Sequence, residues 1–175
     1  MNISYELARP DRVTVGTIGP VGERVFLLQV REGRQLVTMK VEKQQVAALS
    51  AYLGRLLRGL GRPGELPSGA ELELEPFGEP DFAVGTIGVT YDDSVDRIML
   101  VADEVDRGDL EEEPEPEHEG SSARLAMTRE QAAALAIRGT ELVESGRPPC
   151  PLCGYPLDPR GHACPRTNGN TAPLT

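Results

Sequence analysis

A pentapeptide occurs twice in this chain, as Val15-Gly-Thr-Ile-Gly19 and Val84-Gly-Thr-Ile-Gly88, each downstream of a Pro-Asp pair (Pro10-Asp11 and Pro80-Asp81). The correspondence continues beyond it. Glu23-Arg-Val-Phe-Leu27 aligns with Asp96-Arg-Ile-Met-Leu100, and Lys43-Gln-Gln-Val-Ala-Ala-Leu49 aligns with Arg129-Glu-Gln-Ala-Ala-Ala-Leu135. Three blocks in the same order point to an internal duplication. A period near 70 residues is too long for a solenoid and predicts two related half-domains. A fold of this kind must bring two similar units to one core.

Each unit reads as four strands and a helix. Ile3, Tyr5 and Leu7 alternate, as do Leu72 and Leu74, predicting a first strand in each copy. The block ending in Thr-Ile-Gly is the second strand, because β-branched side chains suit a pleated surface. Arg24–Arg31 and Arg97–Asp103 are apolar third strands, and Gln35–Val41 and Ala123–Met127 are fourth strands. Val46, Leu49, Leu53, Leu56, Leu57 and Leu60 recur at helical spacing over 42–60. A second helix over 129–145 opens with Thr128 and Gln131 as a capping box, and Ala132, Leu135, Ala136, Leu142 and Val143 form its apolar stripe. The fold class expected is α+β: duplicated ββββα units in a mainly antiparallel sheet or barrel, with two packed helices. The repeats occupy residues 1–66 and 67–147, followed by a tail over 148–175.

The net charge of −10 is concentrated in one place. Residues 103–119 hold ten acids and one base, so the remainder is close to neutral. That acidic insert, at about 103–122, is predicted to be a solvated, disordered loop. Nothing in the balance supports a basic nucleic-acid surface. The first residues lack a signal-peptide pattern, and no apolar run approaches the roughly 18 residues of a membrane span. A cytoplasmic protein is expected.

The tail carries the chemistry. Cys150, Cys153 and Cys164 are the only cysteines of the chain, and His162 is one of its two histidines. Cys-x-x-Cys presents two thiolates from one turn, Gly154 gives the following backbone its freedom, and His162-Ala-Cys164 completes four ligands for Zn2+. Four protein ligands leave no position for substrate, which marks a structural site in contrast to a catalytic one. A reduced empty loop, or a redox pair with Cys164 as bystander, is the competing reading; the CxxC follows two prolines where a redox motif opens a helix.

Other chemistry is thin. No catalytic residue is assigned. The other histidine, His118, lies in the acidic insert, so no Ser-His-Asp or Cys-His set is available. The glycines of the repeated pentapeptide lack phosphate-loop spacing, and glycine in a strand more often marks a bulge or barrel corner. Thr17, Thr86, Arg24 and Arg97 occupy matching positions and are the candidate lining of a ligand cleft between the repeats.

The string from Cys150 to Gly169, joined to the two pentapeptides, resembles an uncharacterised actinobacterial family, domain-of-unknown-function family 3090. The resemblance implies an intracellular protein encoded beside a histidine-phosphatase-like protein and a protein similar to lipid kinases, and so a shared pathway in phosphoryl chemistry. It carries over no catalytic residue. A non-enzymatic binding or adaptor protein is the expectation, with an enzyme or small-ligand sensor as its rival.

Overall fold

A computed structural model describes residues 2–106, 120–146, 149–155, 157 and 164–167. The elements are β1 (Ser4–Leu7), β2 (Arg12–Ile18), β3 (Val25–Glu32), β4 (Gln35–Val41), α1 (Lys43–Arg58), β5 (Phe82–Asp92), β6 (Arg97–Glu104), β7 (Ser122–Met127) and α2 (Arg129–Glu144), with 3-10 turns at Gly69–Leu72 and Pro165–Thr167. They form an α+β body around one seven-stranded mixed sheet of order β1-β7-β6-β5-β4-β3-β2. The β1–β7 and β4–β5 pairs are parallel, and the other four are antiparallel.

The sheet has to curl. β1 and β2 lie at opposite margins, yet only residues 8–11 join them. Five steps of chain reach about 18 Å at most, whereas six strand spacings of a flat sheet span about 29 Å. Helix α2 packs along the β2 margin. Gln131 Nε2 donates to the Pro10 carbonyl (2.8 Å) and Arg138 Nε to the Val15 carbonyl (3.1 Å), both on the strand-free side of β2.

One apolar core lies between the concave side of the sheet and the helices, built from residues such as Leu28, Val30, Met39, Leu53, Leu100, Leu125 and Leu135. The helix capping box is present as expected: Gln131 N–H donates to Thr128 Oγ1 (3.1 Å), and Thr128 N–H donates to Gln131 Oε1 (3.0 Å). The helices touch closely, because Gly139 of α2 faces Ser50 of α1. A Cβ on Gly139 would lie 2.1 Å from Ser50 Oγ. Where this core meets β5, a cavity of about 10 Å³ lined by Val15, Leu28, Leu49, Ile87 and Leu135 remains. That is the size of one water molecule at most.

The second unit departs from the expected plan. Leu72 ends a 3-10 turn and Leu74 lies outside any strand, so no strand corresponds to β1 there. Residues 69–75 cross the outer face of β2 and β3 instead. Thr14 Oγ1 donates to the Leu72 carbonyl (2.6 Å), Arg12 to those of Ala70 and Glu73, and Gln29 exchanges two hydrogen bonds with the Glu75 backbone. Buried Thr14, Gln29 and Thr38 are the polar side chains under this cover. The order common to both units is therefore three strands and a helix, β2-β3-β4-α1 and β5-β6-β7-α2. The acidic insert lies mostly at 107–119, outside the described residues.

Candidate metal centre

Cys150, Cys153 and Cys164 converge. Their sulfurs all lie within 4.8 Å of one another. Cys150 and Cys164 are buried in a small cluster of their own, with Cys153 and Leu157 against it. The three are not disulfide-bonded, and the Cys150 and Cys164 sulfurs stand 4.0 Å apart. A tetrahedral ion with sulfur ligands at about 2.3 Å separates them by about 3.8 Å, so the cluster can hold a metal ion with little adjustment.

The local backbone explains the convergence. Gly154 N–H donates to the Cys150 carbonyl, closing the turn at 2.8 Å, and Gly154 takes φ +76°, a region that penalises any Cβ. Cys150 N–H then donates to the Tyr155 carbonyl (2.8 Å), folding the chain back on itself. Burial pushes the Cys150 thiol up. The N–H groups of Cys153 and Leu152, aided by the other two cysteines, outweigh it, and the net position is below the ordinary thiol value. Cys153 is raised, first by burial. Amides aimed at one sulfur are the second-layer arrangement that a bound thiolate uses. Thiolate donors select soft or borderline ions, zinc among them. His162 lies outside the described residues.

The four candidate lining residues are spread out. Thr17 on β2 pairs with Phe26, and Arg24 stands just before β3 at the same end of that hairpin. Arg24 donates to Ser145 Oγ (3.2 Å) and to the Ser145 carbonyl (3.0 Å), so it holds the C-terminal end of α2. Thr86 pairs with Asp103 at one end of the β5–β6 hairpin, whereas Arg97 pairs with Asp92 at the other. Six residues separate those ends, about 20 Å. Gly85 stands at a register shift in β5, as a glycine-marked bulge should.

Two grooves stand out, one beside the candidate Arg24 and one lined by none of the four. One, of about 470 Å³, is bordered by Arg24, Lys40, Lys43 and Gly146. The other, of about 420 Å³, runs between α1 and β5 and is lined by Gln45, Ala48, Leu49, Tyr52, Arg55, Ile87 and Val89.

The fold and site together define an α+β sheet protein with a cluster of three cysteines in its tail. Over residues 5–164 the chain matches the family described as "Protein of unknown function (DUF3090)", and it belongs to that family. No curated protein matches it. Among the described residues, no helix is long and apolar enough to cross a membrane.

Proposed function

We propose that this chain is a cytoplasmic, non-enzymatic binding or adaptor protein whose tail is stapled by Zn2+ on Cys150, Cys153, His162 and Cys164. The observation that supports it most is the three-sulfur cluster, in which Cys150, from the Cys150–Gly154 turn, and Cys164, from the segment after it, are buried. A fourth ligand from His162 saturates the ion and leaves it a structural role. The partners are the histidine-phosphatase-like and lipid-kinase-like proteins implied by the family resemblance.

Metal analysis of protein purified without chelators tests the staple. We expect one equivalent of zinc, with less than about half an equivalent overturning it. Cys150→Ser should lose the metal and loosen the tail while the body keeps its stability. A pull-down with the two neighbours tests the adaptor role, which fails if neither is retained.

The rival, a small-ligand sensor, draws on the groove beside Arg24, where Lys40 and Lys43 add positive charge. A thermal shift with inorganic phosphate that Lys43→Ala abolishes would favour it.

A further inference from the structure

The β4 edge of β5 is paired for only two residues, Met39 with Phe82 and Lys40 with Ala83. The chain of β4 then turns into α1, while β5 runs on to Asp92. What lies along the abandoned edge can be read from hydrogen-bond direction. The Ala83 carbonyl accepts from Val105 N–H and so faces β6. The Val84 and Gly85 carbonyls accept from Gln45 Nε2, both at 3.1 Å, and so face α1 across the bulge. Beyond it the direction alternates. Thr86, Gly88, Thr90 and Asp92 turn to β6, and Ile87, Val89 and Tyr91 turn to the groove. The Val89 carbonyl fits that phase, meeting Tyr52 OH at a long 3.5 Å.

The N–H groups of Ile87, Val89 and Tyr91, and the carbonyls of Ile87 and Tyr91, thus point into an open groove and meet no strand among the described residues. A row of such groups is a template for another strand. Ile87 and Val89 on β5 and Ala48 and Leu49 on α1 give the groove an apolar floor. Arg55 lines it too, its guanidinium 5.9 Å from the centre of the Tyr52 ring, with no carboxylate paired to it among the described residues. Arg58 adds a second positive charge to the last turn of the same helix.

We propose that this edge is a strand-addition site, and that its occupant is an extended segment of a partner protein carrying an acidic residue for Arg55. The backbone groups impose the extended conformation, the floor takes alternate apolar side chains, and Arg55 selects the charge. A second copy of this chain does not suit it. Its own β5 would arrive with its own α1, and the lane beside the edge is already flanked by a helix. The proposal deepens the binding-protein reading and rests on it.

Two measurements test it. Amide hydrogen exchange on the full chain should show Ile87, Val89 and Tyr91 exchanging fast while Thr86, Gly88 and Thr90 are protected. If the first three are protected in the free protein, the edge is already occupied by this chain or a second copy, and the proposal is overturned. Next, a random twelve-residue peptide library displayed on phage is selected against the zinc-loaded protein. The expected winners are proline-free, β-rich and acidic. Val89→Pro removes an N–H that faces the groove and leaves the β6 ladder intact, as proline on an edge strand allows. It should weaken binding at least tenfold with the fold retained, and Arg55→Glu should reverse the charge preference. Winners indifferent to Val89→Pro would sink the edge while leaving a binding protein with a different surface. An empty selection would also overturn the edge, and the neighbour pull-down would still judge the broader reading separately.

Discussion

The same five residues, Val-Gly-Thr-Ile-Gly, sit in two strands that live in different surroundings. In β2, Val15 and Gly16 are buried; the Leu74 side chain lies across Gly16, and α2 covers the strand's free side through Arg138. In β5, Val84 is buried, but Gly85 is half-exposed, Thr86 and Gly88 are exposed, and the free side opens on a groove. Even the last glycines differ. Gly19 takes φ +91° and leaves its strand in a turn, whereas Gly88 stays in β5 opposite Val101. Local sequence decides that both segments are strands; what packs on them decides whether they are core or surface.

The difference traces to the two helices. Helix α2 carries Ala132, Ala133, Ala134, Ala136 and Gly139, all buried, and small side chains let a helix come close to its neighbours. Helix α1 presents Tyr52 and Arg55 toward β5 and stands off, reaching it through Gln45 and Tyr52. Gly139→Leu breaks this contrast most severely. Ser50 and Val46 occupy the space its side chain needs, so we expect a loss of about 3 kcal/mol in urea unfolding. Gly54→Ala in α1 meets nothing within 4 Å and should instead gain about 0.5–1 kcal/mol. A Gly139→Leu protein as stable as the parent would mean that the close helix contact is not needed.

The next largest effect separates the two copies of the pentapeptide. Gly19→Ala would put a Cβ on a residue at φ +91° and 3.0 Å from the Glu23 carbonyl oxygen, while Gly88→Ala, at the matching position, meets nothing within 4 Å. The left-handed backbone and the nearby carbonyl penalise a side chain at Gly19, so the cost there should be about 1–2 kcal/mol, against a near-neutral change at Gly88. Equal effects at the two sites would dissolve the comparison.

Much of this was legible beforehand for physical reasons. Alternation and β-branching marked the strands, the leucine spacing marked α1, and Thr128 with Gln131 marked the start of α2, because each signal is local. The cysteine spacing was legible in the same way, since Cys150 and Cys153 are brought together by one turn. The exception is Leu72-Glu73-Leu74. Two alternating leucines look like a strand, yet the carbonyls there bind the Arg12 and Thr14 side chains and not a neighbouring strand. The parallel pairing of β1 with β7 joins residues more than 100 positions apart, and no local pattern encodes it. The open edge of β5 was hidden for a related cause: what covers β2 is Leu74 and α2, both distant in sequence, and nothing in β5 itself announces that its own cover is missing.

The smallest expected effect probes the cover that β2 and β3 have and β5 lacks. Glu75 links it to the sheet, with Oε2 2.5 Å from Arg31 Nε and Oε1 3.2 Å from Arg12 NH1, its side chain 20% exposed. The hydrogen bond from Arg31, opposed by burial and aided by the charges of Arg12 and Arg31, holds the Glu75 carboxyl below the usual carboxylate range. A carboxyl depressed in the folded state contributes stability above its unfolded pKa, about 4.3, and that contribution disappears as pH falls through the lower folded value. Glu75→Gln should therefore cost about 1 kcal/mol between pH 6 and 8, discounted for partial exposure. The parent and variant curves should converge as pH falls through the lowered folded value. Asp96, bound first by Arg129 and also by Tyr91, is depressed in the same direction, but its side chain is 53% exposed and it ties down a turn, not the cover. Asp96→Asn should accordingly move stability in the same direction but less. If Glu75→Gln is silent at neutral pH, the 69–75 segment is held by its backbone hydrogen bonds to Arg12, Thr14 and Gln29, and the Glu75 carboxylate adds nothing to the shielding of β2.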